Sequence, residues 1–136
     1  MRSSDDTRPF ITQSRAQRLP TAFSVPLREL FDRVPGARGT IFLDYDGEAI
    51  DDFAYGPTVE IQLVGAHLGI ILSLVREQTQ RLGAPTEVFI ETEQAKLAIR
   101  AVDDKYLVVL EAGADSQLAV MSRELERTVL ALRSEM

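Results

Sequence analysis

The residues whose spacing promises the most chemistry lie in Phe42-Leu-Asp-Tyr-Asp-Gly-Glu-Ala-Ile50, where Asp44 and Asp46 stand two apart and Gly47 follows. Two carboxylates at the end of an apolar segment can act as nucleophile and acid–base in phosphoryl transfer, ligate a divalent cation, or form the polar tip of a turn. Calcium coordination fails on spacing. With Gly47 as the sixth residue of an EF-hand loop, the first and twelfth positions fall on Phe42 and Phe53, neither of which is a ligand. The chain has no cysteine, so a thiolate site and a disulfide framework are both excluded, and its single histidine, His67, cannot build a His-rich metal site. No metal or other cofactor is expected.

At Asp44, Asp46, Gly47 and Glu48 the stretch resembles the first motif of haloacid-dehalogenase-type phosphatases. The resemblance implies Asp44 as nucleophile and Asp46 as acid and base. That family has threonine where Glu48 stands, and an added negative charge works against phosphate binding. The surrounding order argues harder against it. Such enzymes resemble doubly wound parallel sheets, in which a crossover helix follows the motif strand, whereas here a second strand follows at once. Asp103, Asp104 and Lys105, which might complete such a site, fall in an expected hairpin turn. Asp46-Gly47 therefore reads as the central pair of a two-residue type I′ turn, both residues needing positive φ, and the chain as a non-enzyme.

The elements that must hold this turn belong to one domain, since 136 residues with 45% hydrophobic content suffice for one core and not for two. Residues 1–22 are expected to be a flexible arm and residues 23–136 the folded domain. The first twenty residues carry four arginines against two aspartates, which leaves the rest of the −6 chain at about −8 and disfavours nucleic-acid binding. The arm lacks the apolar core of a signal peptide, so a cytoplasmic protein is expected. The uncharged run at 61–75 is too short for a membrane span, which needs about 20 mostly apolar residues.

Ser24 ahead of Val25-Pro26 is the expected cap of a short helix ending at Pro35-Gly36. Residues 39–45 and 48–55 read as strands, the second with a bulge near Asp51-Asp52, where the two-residue period breaks between Ile50 and Phe53. Thr58 is the expected cap of a long helix running to Leu82, stopped by Gly83 and Pro85. Residues 86–92, 96–102 and 105–112 read as an antiparallel meander. Asp115 is the expected cap of a last helix, whose Leu118, Met121, Leu125, Val129 and Leu132 form one stripe. The fold class is thus α+β: a five-stranded antiparallel sheet in the order helix, strand, strand, long helix, strand, strand, strand, helix.

The long helix is apolar around most of its circumference between Ile61 and Val75, more than one sheet face can bury. Something else is expected to cover the remainder, and a partner is the simplest cover. Gly65 and Gly69, four apart, either let a partner helix approach or fit against the chain's own sheet. The candidate interface set is Leu63, Gly65, His67, Leu68, Gly69 and Leu72, with Phe89 on the strand 86–92. If that strand is an edge, Glu87 and Glu91 would guard it against unlimited pairing.

From about Leu27 to Leu132, the segments VPGARGTIFLDYDGEAI, the long apolar helix ending in RLG, and EVFIETEQAKLAIRAVDDKYLVVLEAGADSQLAVMSRELERTVLAL together resemble the roadblock/dynein light-chain family. The resemblance implies homodimers or heterodimers formed through the long helix and third strand, and no active site. It further implies a small Ras-like GTPase as partner, for which the chain would be an activator of hydrolysis or a scaffold. An activator would act on switch-loop populations or insert an arginine, the candidates being Arg38, Arg100, Arg8, Arg15 and Arg18. The alternative from another class is a small-ligand sensor, because a helix-covered sheet can enclose a pocket.

Overall fold

A computed structural model describes residues 21–55 and 58–136, without the side chains of residues 58 and 59. The expected flexible arm therefore lies outside the described residues up to position 20, as do the Gly56-Pro57 turn and the capping side chain of Thr58. The elements in order are α1 (Ser24–Arg33), β1 (Ala37–Asp44), β2 (Ala49–Ala54), α2 (Thr58–Gln78), a 3-10 turn (Gln80–Leu82), β3 (Glu87–Glu91), β4 (Ala95–Ala101), β5 (Tyr106–Gly113) and α3 (Leu118–Ser134). All strand pairs are antiparallel, and the sheet order is β2-β1-β5-β4-β3, so β2 and β3 are its edges.

Helices cover both faces of this sheet. Ile41, Leu43, Leu107 and Val109 pack under α2, while Phe42, Val108 and Leu110, which alternate with them, pack under α1 and α3. Where a strand is buried on both sides consecutive positions are apolar, which is why β1 at 41–43 and β5 at 107–110 read as short apolar runs. Burying each such side chain contributes about 1.5–3 kcal/mol. On α3 the stripe of Met121, Leu125, Val129 and Leu132 is buried, as its three-and-four spacing requires.

Several local expectations are corrected. The bulge falls at Ile50, one residue before the expected place, because Phe42 pairs with Asp51 while Leu43 pairs with Ala49. Ser24 sits inside the first turn of α1. The hydroxyl of Thr21 accepts the N–H groups of Phe23 and Ser24, both at 3.2 Å, so the threonine satisfies these donors in place of the serine. Asp115 does not cap α3. A turn intervenes, Gln117 occupies the cap position without a side-chain bond, and Ser116 ties the turn down by donating its hydroxyl to the Pro35 carbonyl at 2.8 Å. The α-helical part of α2 ends at Gln78, and the last turn before Gly83 tightens to 3-10.

Candidate interaction surface

The aspartate pair is a hairpin turn, though not of the expected type. No residue other than glycine has positive φ among the described residues, so Asp46 cannot occupy a type I′ position, while Gly47 lies at φ +90°. The connection is a three-residue loop. The Gly47 N–H donates to the Asp44 carbonyl at 3.1 Å, the Asp44 N–H donates to the Glu48 carbonyl at 3.0 Å, and the glycine takes the left-handed position of a bulge. Oδ1 of Asp44 accepts the N–H groups of Asp46 and Glu48, both at 2.9 Å. The carboxylate that would be a phosphatase nucleophile is occupied in holding its own loop. Among the described residues, no group of three His, Asp or Glu side chains could hold a metal ion.

The long helix lies with its glycines on the sheet. A β-carbon at Gly65 would come within 3.1 Å of both Ile41 and Leu43, so only glycine allows α2 this close to β1. Gly69 faces the Asp44 and Tyr45 carbonyls, and Leu68 and Leu72 are buried at 4% and 0% exposure. Gly65, Leu68, Gly69 and Leu72 of the interface set thus belong to the chain's own core. The opposite side of α2 is open. Leu63, Ile70 and Leu74 are 54%, 57% and 53% exposed, Ile71 lies beside them, and His67 is exposed within the same stripe.

Ile70, Ile71 and Leu74 are missing from the set chosen by sequence. A helical projection would have found Ile70 and Leu74: once Gly65 is assigned to the sheet, residues 63, 67, 70 and 74 fall on the far side at 100° per residue. Phe89 does not join this stripe. It pairs with Ala98, which lies in the core under α1 and α3, whereas Val88, Ile90 and Leu97 lie on the α2 face and are only partly buried. The α2 side of the edge strand therefore continues the apolar surface through Val88 and Ile90.

The described arginine candidates are engaged. Arg100 reaches Glu87 at 2.6 Å and Glu126 at 3.8 Å, and the Ser122 hydroxyl adds a 2.9 Å bond to the same Glu87 oxygen. Glu87 is consequently a structural partner under α3, not an edge guard facing solvent. Arg38 lies 3.9 Å from Glu111, whose pKa is raised by burial against the opposing pull of Arg38. Arg8, Arg15 and Arg18 lie outside the described residues.

A cleft of about 310 Å³ opens between the β4–β5 turn and the end of α3. Tyr45 donates to the Asp103 carbonyl at 3.4 Å, Arg76 stacks on the Tyr45 ring at 4.5 Å, and Arg133 donates to the Val102 carbonyl at 2.6 Å. Burial raises the Tyr45 pKa, with Arg76 acting against the shift. Three arginines (Arg76, Arg100 and Arg133) and three carboxylates (Asp103, Asp104 and Glu126) line it, so it has no charge preference.

No family model matches the chain, and no curated protein matches its sequence. Solved structures do. The Roadblock/LC7 domain from Streptomyces avermitilis aligns with a TM-score of 0.74 at 21% identity, over 81% of this chain and 93% of that one. MglC from Myxococcus xanthus aligns at 0.65 and 24%, over 85% and 100% of the two chains. The gliding protein MglB from Thermus thermophilus aligns at 0.74 and 17%, over 83% and 87%. With this strand order, the long helix on one sheet face and two helices on the other, the chain has the Roadblock/LC7 fold.

Proposed function

We propose that this chain is a non-catalytic regulator or scaffold of a small Ras-like GTPase and works as a homodimer. The observation that carries the reading is the solvent-facing stripe of α2. Each of Leu63, Ile70 and Leu74 keeps more than half its surface in water, and covering that remainder on association is worth about 1 kcal/mol or more per residue. A second copy docked by a two-fold axis would cover the stripe with itself, as an isologous interface requires. The partly buried Val88 and Ile90 on the edge strand would extend the contact.

The choice of GTPase as the further partner rests on the resemblance of the sequence to the roadblock/dynein light-chain family and on the shared fold of MglB and MglC. Nothing in the aspartate loop competes with this reading, because Asp44 is committed to its turn. The cleft beside Tyr45 and Arg76 favours the small-ligand sensor as second reading, and a ligand that co-purifies with the protein would support it.

The test is capture of the tagged protein from native lysate, once with a GTP analogue and once with GDP. Retention of a Ras-like GTPase in one nucleotide state supports the regulator. A lysate shown to contain such GTPases that yields none in either state removes it.

A further inference from the structure

We propose that the cleft between the β4–β5 turn and the end of α3 binds a small zwitterion, a ligand carrying an ammonium and a carboxylate on a short apolar body. Such a ligand deepens the sensor reading, on which this inference rests, and needs neither the GTPase nor the dimer. The observation is a set of opposite charges brought into one cleft and held apart.

Arg76 and Arg133 stand in the last turns of α2 and α3, and both line the cleft. Each is oriented by a neutral partner. Arg133 donates its Nε–H to the Val102 carbonyl at 2.6 Å, and Arg76 lies on the Tyr45 ring with Nη1 reaching the Asp104 carbonyl at 3.4 Å. Neither pairs with a carboxylate among the described residues, whereas Arg100 in the same cleft is committed to Glu87. A guanidinium carries five N–H donors, so each of these two arginines keeps donors for an incoming carboxylate.

The acidic side divides in the same way. Asp103 is used by its own turn, its Oδ1 accepting the N–H groups of Lys105 and Tyr106, both at 2.8 Å. The Asp104 carboxylate has no hydrogen bond or ion pair among the described residues. It is nonetheless close to Arg76, since after burial the charges of Arg76, Asp103 and Asp104 all act on the Tyr45 hydroxyl. Both signs thus gather around one hydroxyl, and Arg76 and Asp104 do not close an ion pair between their side chains. An anion alone would meet Asp104 and a cation alone would meet two arginines, so balanced charge selects a ligand that bears both. Pro85, Val129 and Leu130 give the wall its apolar part, Leu130 being 59% exposed, and about 310 Å³ is at the small end of ligand pockets.

The test is NMR titration of isotopically labelled full-length protein with valine and with straight-chain amino acids from glycine through γ-aminobutyrate to ε-aminocaproate. Caproate and hexylamine carry one charge each and serve as controls. One amino acid is expected to bind best, shifting signals of residues 101–104 and 129–133, with both controls weaker by about tenfold or more. Arg133→Gln and Asp104→Asn are each expected to weaken that amino acid by about tenfold, while Asp104→Asn leaves caproate no weaker. Because Arg133 also ties α3 to Val102, Asp104→Asn decides alone if Arg133→Gln fails to fold. Caproate binding as tightly as the best amino acid would make the cleft an anion site and overturn the proposal, as would no binding by any amino acid at millimolar concentration. A ligand lacking either charge that co-purifies in the cleft would overturn the zwitterion and leave the sensor reading standing.

Discussion

Replacing Ile70 with glutamate tests the outward stripe without touching the core. Ile70 is 57% exposed in the single chain, so the folded protomer loses little when it becomes polar, and its stability should change by no more than about 0.5 kcal/mol. In a two-fold dimer the same change acts twice. Burying the remaining half of an isoleucine contributes about 1 kcal/mol, hence about 2 kcal/mol per dimer, and two carboxylates desolvated across the axis add several more. A loss of about 4 kcal/mol is roughly a thousandfold in dissociation constant, enough to convert a micromolar dimer to monomer. Sedimentation equilibrium reads the mass and thermal unfolding reads the fold. A wild-type protein that sediments as a monomer, or a folded Ile70→Glu protein that keeps a dimer's mass, would refute the reasoning. Leu68→Glu cannot serve instead, because Leu68 is packed on the sheet and its replacement would unfold the protomer.

Three other outcomes follow from local geometry. Gly47→Ala should destabilise by about 1–2 kcal/mol in urea unfolding, since its φ of +90° suits glycine alone and a β-carbon there would sit 3.0 Å from that of Ala66. Asp44→Ala removes the acceptor of two backbone N–H groups and should cost about 1–2 kcal/mol, whereas Asp44→Asn, which keeps the acceptor oxygen, should be close to neutral by the same measurement. Glu111 has its pKa raised on folding, chiefly by burial, so the native state holds its proton more tightly than the unfolded chain. Its contribution is therefore fully present below the ordinary glutamate range and is lost as pH rises through the raised folded value. Glu111→Gln should accordingly gain stability relative to wild type across that window and show a constant advantage above it, as followed by unfolding at a series of pH values.

The fold was readable because its two central strands are apolar at consecutive positions and its last helix at three-and-four spacing, and both patterns follow directly from burial. What was not readable is where polar side chains form bonds. Thr21 rather than Ser24 satisfies the donors at the start of α1, a distinction set by a turn and not by residue type. The Asp-Gly pair announced a hairpin, but Asp44 lengthened the loop to three residues by accepting two of its N–H groups, a preference that a dipeptide rule does not contain. The interface set mixed inner and outer residues because α2 is apolar on all sides, which removes the contrast that would orient it. Its two glycines held the missing information, since the close approach to Ile41 and Leu43 fixes which side faces the sheet. The contact between Tyr45 and Asp103 joins residues 58 apart, beyond any local pattern.

The central claim is met most directly by titrating the captured GTPase, loaded with GTP analogue or GDP, into wild-type protein and into folded, monomeric Ile70→Glu protein. The account predicts that wild type binds one nucleotide state in preference to the other and that the monomeric variant loses that binding. Absence of binding by wild-type protein in both nucleotide states would contradict it.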